Sequence, residues 1–93
     1  MEFKQPTFNI DGYIFVDMFS NCLLSQYEVF ENSKRIAYVR LRYGALSCSV
    51  PDARGSDIFY YKFEDGWKGD FADITERDLY LRKIIEEIKV QKR

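Results

Sequence analysis

No histidine occurs anywhere in the 93 residues. That absence removes Ser–His–Asp and Cys–His nucleophile pairs, mixed His–Cys zinc sites, and the commonest general base near neutral pH. Cysteine is almost as scarce: Cys22 and Cys48 are the only two, and they form no CxxC pair. This usage points to a cytoplasmic protein with reduced thiols, with a Cys22–Cys48 disulfide as the alternative. The N-terminus, MEFKQPTFNI, lacks the basic start and apolar run of a signal peptide. No apolar stretch approaches the roughly 20 residues needed to cross a bilayer, so no membrane association is expected. The loop PDARGSD (51–57) has too little glycine for a phosphate cradle such as GxxxxGK[ST] and reads as a hairpin connector. A formal net charge of −1 argues against a general polyanion binder, which is normally basic.

What the chain does have is aromatic residues, eight Phe and seven Tyr, enough apolar area to offset the entropy of ordering one small core. Aromatic richness favours strands over a helical bundle. The expectation is a single α+β domain over residues 1–93.

The clearest element is a C-terminal helix from about Glu76 to Gln91. Thr75 is a good N-cap, with Asp78 in the capping-box position and Ile74 and Leu79 spaced as a staple. Leu81, Ile84, Ile85 and Ile88 then recur at the spacing of one apolar stripe. The middle of the chain reads as antiparallel sheet. A hairpin around Asn32 to Lys34 sets Val29 opposite Ala37 and Tyr27 opposite Val39. A second turn at Tyr43-Gly44 sets Leu41 against Leu46, Val39 against Cys48 and Ala37 against Val50. Both registers bury the same face of the shared strand, and a one-residue slip would destroy that agreement. The rival reading is one long strand bulged at Gly44. IFYYKF (58–63) reads as a fourth strand with Phe59, Tyr61 and Phe63 inward. Asp11-Gly12 marks a turn in a small N-terminal strand or hairpin, while DMFSNCLL (17–24) is compatible with a helical turn or a strand. The architecture is therefore an antiparallel β-meander of about four strands with the helix packed on one face. Strand-then-helix order is shared with the double-stranded RNA-binding domain, but that family opens its last helix with phosphate-contacting lysines. This one begins TERDLYL, which would repel phosphate.

Few residues point to chemistry. The stretch EDGWKGDFAD (64–73) is rich in carboxylates, but as a calcium loop counted from Asp65 it has Trp67, Gly69 and Asp70 where ligands and the turn glycine belong. Its glycines and aspartates read instead as turn residues leading into a helix. Within it, Trp67 either folds back as a lid over the core edge or stands exposed as a partner-binding anchor. The sheet face opposite the core collects Tyr38, Arg40, Arg42, Ser47 and Ser49, joined by Tyr60 and Lys62. Aromatic and basic groups on one sheet face can stack bases and hold phosphates, yet the RNA-recognition signature is missing. The plain alternative is a solvated face with Arg40 paired diagonally to Glu28. Cys48 has inward parity and reads as inert core.

Charge is unevenly placed along the chain. Residues 31–54 hold five basic and two acidic side chains, while 57–78 hold three basic and seven acidic. A bipolar surface of this kind can steer a charged partner even near neutrality. The expected function is thus a small, non-enzymatic cytoplasmic accessory domain that works by protein–protein contact or as a homodimer. The partner-binding residues are then Trp67, Tyr38, Arg40 and Arg42, with no metal or small-molecule cofactor. The alternative is a nucleic-acid-binding module using the basic, aromatic sheet face.

Overall fold

The computed structural model describes residues 6–18 and 25–91. Six strands follow one another along a single antiparallel sheet: β1 (Thr7–Ile10), β2 (Tyr13–Asp17), β3 (Ser25–Glu31), β4 (Lys34–Arg42), β5 (Ala45–Val50) and β6 (Ser56–Lys62). The helix α1 (Ile74–Gln91) closes the chain. The α+β class and the C-terminal helix are as the sequence implies, but the sheet has six strands rather than about four. The Asp11-Gly12 turn accounts for the extra pair, because it joins two full strands. Part of the ambiguous DMFSNCLL stretch, residues 19–24, lies outside the described residues, as does Cys22.

Three hairpins share one turn chemistry. Asp11-Gly12, Asn32-Ser33 and Tyr43-Gly44 all take positive φ at both central positions. Two-residue turns of that kind match the twist of antiparallel strands. Gly44 is also sterically obligatory, since an added Cβ would lie 2.4 Å from the Asp65 carbonyl oxygen. A hairpin at this point rules out the single bulged strand. The pairings Tyr27–Val39, Val29–Ala37, Val39–Cys48 and Leu41–Leu46 all form, whereas the β4–β5 ladder stops at Tyr38–Ser49, one step short of Ala37–Val50. At the β3–β4 hairpin the turn is Asn32-Ser33, and a bulge takes up Ile36 between Arg35 and Ala37. That extra residue reconciles a two-residue turn with the register deeper in the ladder.

The core lies between one sheet face and α1. Phe15, Tyr27, Val29, Ala37, Val39, Leu41, Leu46 and Cys48 meet Leu81, Ile84, Ile85 and Ile88, the stripe read from the helix periodicity. The helix starts two residues earlier than expected. Asp73 Oδ1 accepts the Glu76 amide N–H at 2.8 Å, and Glu76 Oε1 accepts that of Ala72 at 2.8 Å. This reciprocal cap fixes Asp73, not Thr75, as the residue before the first turn. The Ile74–Leu79 staple does not form; both side chains are largely exposed. Lys68 Nζ, 2.9 Å from the same Glu76 oxygen, ties the preceding loop to the cap. Among the described residues, no helix is long and apolar enough to cross a membrane.

Candidate functional site

The sheet face away from α1 is built of rows of side chains that cross β4, β5 and β6. Arg42, Ala45 and Lys62 form one row across β4, β5 and β6, and Arg40, Ser47 and Tyr60 form the next. Tyr38, Ser49 and Asp57 follow. The central strand therefore contributes only Ala45, Ser47 and Ser49, all small. Taller side chains stand on both sides of it. Strands lie about 4.8 Å apart, so the two walls of this trough are about 10 Å apart. Arg40 and Arg42 alternate along one wall, spaced by about 6.8 Å.

The charges of the walls are unbalanced. Glu28 accepts from Arg35 Nη1 at 2.7 Å, a salt bridge on the half-exposed surface of β3 and β4. This replaces the expected Glu28–Arg40 pair: the Ile36 bulge brings Arg35 onto the same face and within reach. Arg40 and Arg42 are thus left with no carboxylate in salt-bridge range among the described residues. Lys62 Nζ donates to the Tyr43 carbonyl oxygen at 2.9 Å. Tyr38 is half-buried and donates its hydroxyl proton to Gln26 Oε1 at 2.5 Å. Burial raises its pKa, against an opposing pull from Arg40 and Arg42. Gln26 is itself buried, and its Nε2 has no hydrogen-bond partner among the described residues. Tyr60, by contrast, is 64% exposed.

At the end of the trough, beyond Ala45, sit Tyr43 and Trp67. Their rings meet edge-on at 6.3 Å, and they are 65% and 84% exposed. Trp67 is therefore no lid on the core; of the two readings of this residue, the exposed one holds. The reason lies in the loop around it. Asp65 Oδ1 accepts the Trp67 amide N–H at 2.9 Å, and the Lys68 and Gly69 carbonyls accept the N–H groups of Gly44 and Ser25. These bonds pin the loop against the sheet end and leave the indole outside. Phe71, four residues on, is buried and fills the core edge instead. Tyr43 escaped the sequence reading, although a tyrosine in a two-residue turn is bound to be displayed at a hairpin tip.

The acidic stretch is a structural connector. Asp70 Oδ1 accepts the Ser25 hydroxyl at 2.5 Å and the Phe71 N–H at 2.9 Å, while Asp65 and Asp73 cap turns. Among the described residues these carboxylates form no group of three that could hold a metal. Cys48 is fully buried and free, with its thiol pushed up to about 12, first by lost hydration and then by Asp57. A shallow cleft of about 260 Å³ opens among Asp17, Tyr27, Asp70, Phe71, Asp73 and Arg77. No sequence signal foretold it, since its walls come from β2, β3, the loop at 70–73 and the start of α1. Its guanidinium is already engaged, 3.7 Å over the Phe8 ring and 3.0 Å from Asp78. Arg77 is the partner of Asp78, and Arg82 lies 3.5 Å from Asp11. Comparison with protein-family models, with curated proteins and with solved structures finds no match.

Proposed function

We propose that this chain is a small, non-enzymatic accessory domain of the cytoplasm that binds a protein partner through the trough over β5 and the aromatic corner at its end. The observation that carries the reading is Trp67, 84% exposed beside the also solvent-facing Tyr43. Tryptophan, tyrosine and arginine are the side chains that dominate binding energy at protein interfaces. Arg40 and Arg42, unpaired on one wall, favour a segment carrying carboxylates. Side chains of an extended peptide that point the same way repeat every 6.8 Å or so, the spacing of these two arginines. The partner is thus an extended acidic segment with an apolar residue for the Trp67–Tyr43 corner. The buried, free Cys48 suits a reducing compartment. Its neutral thiol and the loop-capping aspartates leave the described residues no poised nucleophile or base, which supports a binding role over a catalytic one.

A second reading, single-stranded nucleic acid on the same face, rests on Tyr60, an exposed ring next to unpaired cations. It is the weaker one, because Tyr60 is the sole strongly exposed ring on the face itself and the chain as a whole is slightly acidic. An amide NMR titration separates the two. A capped peptide of alternating glutamate and threonine ending in leucine should shift residues 38–49 and 60–62. Arg40→Ala with Arg42→Ala should abolish the shifts, and Trp67→Ala should weaken binding roughly tenfold or more. If oligothymidylate shifts the same amides in a salt-dependent way and the peptide does not, the second reading replaces the first. Silence with both would sink the trough as a site.

A further inference from the structure

The two outer strands of the sheet are unlike one another. β1 is four residues long, short enough to offer little to a passing strand, whereas β6 has seven. β6 pairs with β5 on one side only, and among the described residues no hydrogen bond reaches its other side. An outer strand of that length presents a row of unpaired N–H and C=O groups. Its side chains are also unusually apolar for an exposed edge: Tyr60 is 64% and Tyr61 42% solvent-exposed.

The order of side chains along this edge is self-complementary. We propose that two copies of the chain pair through β6, antiparallel, about a twofold axis at Tyr60. Such an axis stands perpendicular to the sheet, so each side chain meets one on the same face of the other copy. Tyr60 then faces Tyr60 of the second copy on the open face. Phe59 faces Tyr61 on the helix-covered face, as aromatic cross-strand pairs prefer. The bulge at Ile58 takes up one position, which brings Asp57 into the open-face row that Tyr60 and Lys62 occupy. Lys62 of each copy therefore comes opposite Asp57 of the other, and one such pair closes each end of the contact once the ammonium exchanges the Tyr43 carbonyl for that carboxylate. Moving the axis to Phe59 or Tyr61 leaves both charges unmatched, so the charges select a single register.

Two consequences set this arrangement apart from chance stickiness. Pairing stops at two copies, because each copy has one long free edge and the axis uses both. It also joins the two open faces into one, with the troughs over β5 running side by side in opposite directions. The dimer stands on the β6 edge and does not depend on what occupies the trough.

Sedimentation equilibrium of the full chain, from micromolar to millimolar and at low and high salt, tests the proposal. The mass should rise with concentration from 11.1 kDa toward twice that value, with a weaker transition at high salt. Lys62→Glu sets two acids against each other and should weaken dimerisation at least tenfold, as should Asp57→Lys, which opposes two lysines. Combining both substitutions restores opposite charges in swapped positions and should recover the dimer. Both side chains are exposed, and circular dichroism checks that each variant folds. A wild-type mass fixed at 11.1 kDa throughout overturns the proposal. So does a dimer indifferent to both single changes, or a double variant no stronger than the singles.

Discussion

Cys48 gives the sharpest check on how β4, β5 and β6 pack beneath the helix. Its side chain is fully buried, opposite Val39 on one neighbouring strand and Phe59 on the other. Lost hydration, helped by the charge of Asp57, lifts its thiol from 9.0 to about 12. Only the thiolate attacks a thiol reagent. At pH 8 a thiol at 9.0 is about 10% ionised, while one at about 12 is ionised in roughly one molecule in ten thousand. Ionisation alone slows labelling about a thousandfold, before any steric exclusion. On a Cys22→Ser background, dithionitrobenzoate should thus react promptly with the urea-unfolded chain and with the folded chain only as fast as it opens. The same burial makes stability depend on pH. The folded value lies above the unfolded one, so the contribution is complete below about pH 9 and is lost as pH climbs toward 12. The whole gap corresponds to about 4 kcal/mol, of which roughly a third is gone by pH 10. Burial raises the Tyr27 hydroxyl as well, which adds a loss of the same sign above pH 10. Urea midpoints at pH 8 and pH 10 measure the effect. Prompt labelling in native buffer, or equal midpoints, would refute the placement of Cys48 in a dry core.

Four other expectations are simpler to read. Gly44→Ala should cost at least about 2 kcal/mol in a denaturant titration, from left-handed backbone and a clash with Asp65 together. Gly12→Ala, at similar φ but facing open space, should cost about half as much, and equal losses would discredit the docked loop. Asp73→Ala should destabilise by about 1 kcal/mol through the lost cap, while Thr75→Ala should be nearly neutral in the same thermal melt. The Ala72 N–H and then Lys68 hold the Glu76 carboxyl below its usual 4.5, so its contribution is present above that pH and lost as pH falls through the lower folded value. A Glu76→Gln variant should lose part of the acid sensitivity seen in wild type. Trp67→Ala should leave the melting temperature within about a degree or two, and wild-type emission should match that of tryptophan free in water. A blue-shifted, quencher-resistant signal would return Trp67 to the core.

Local and pairwise rules were enough for the sequence to determine much of this molecule. Period-two alternation on 27–41 and 41–48 set which residues face the helix, because two ladders share one strand and only one parity satisfies both. The 3.6-residue stripe from Leu81 to Ile88 set the face of α1 in the same way. Cys48 was legible as core for the same reason. Where two signals of equal local strength competed, tertiary contacts chose. Asp73 prevailed over Thr75 as cap once Lys68 and the Ala72 N–H engaged Glu76. The Ile36 bulge brought Arg35 onto Glu28 and released Arg40, which pattern alone had paired. The exposure of Trp67 was decided furthest from its own sequence, by backbone bonds from Gly44 and Ser25 that hold its loop to the sheet end and by Phe71 filling the space it would otherwise take. The sheet edge is likewise a tertiary fact. Alternation says that Tyr60 and Lys62 share a face, but only the order of six strands says that none of the described strands lies beyond them.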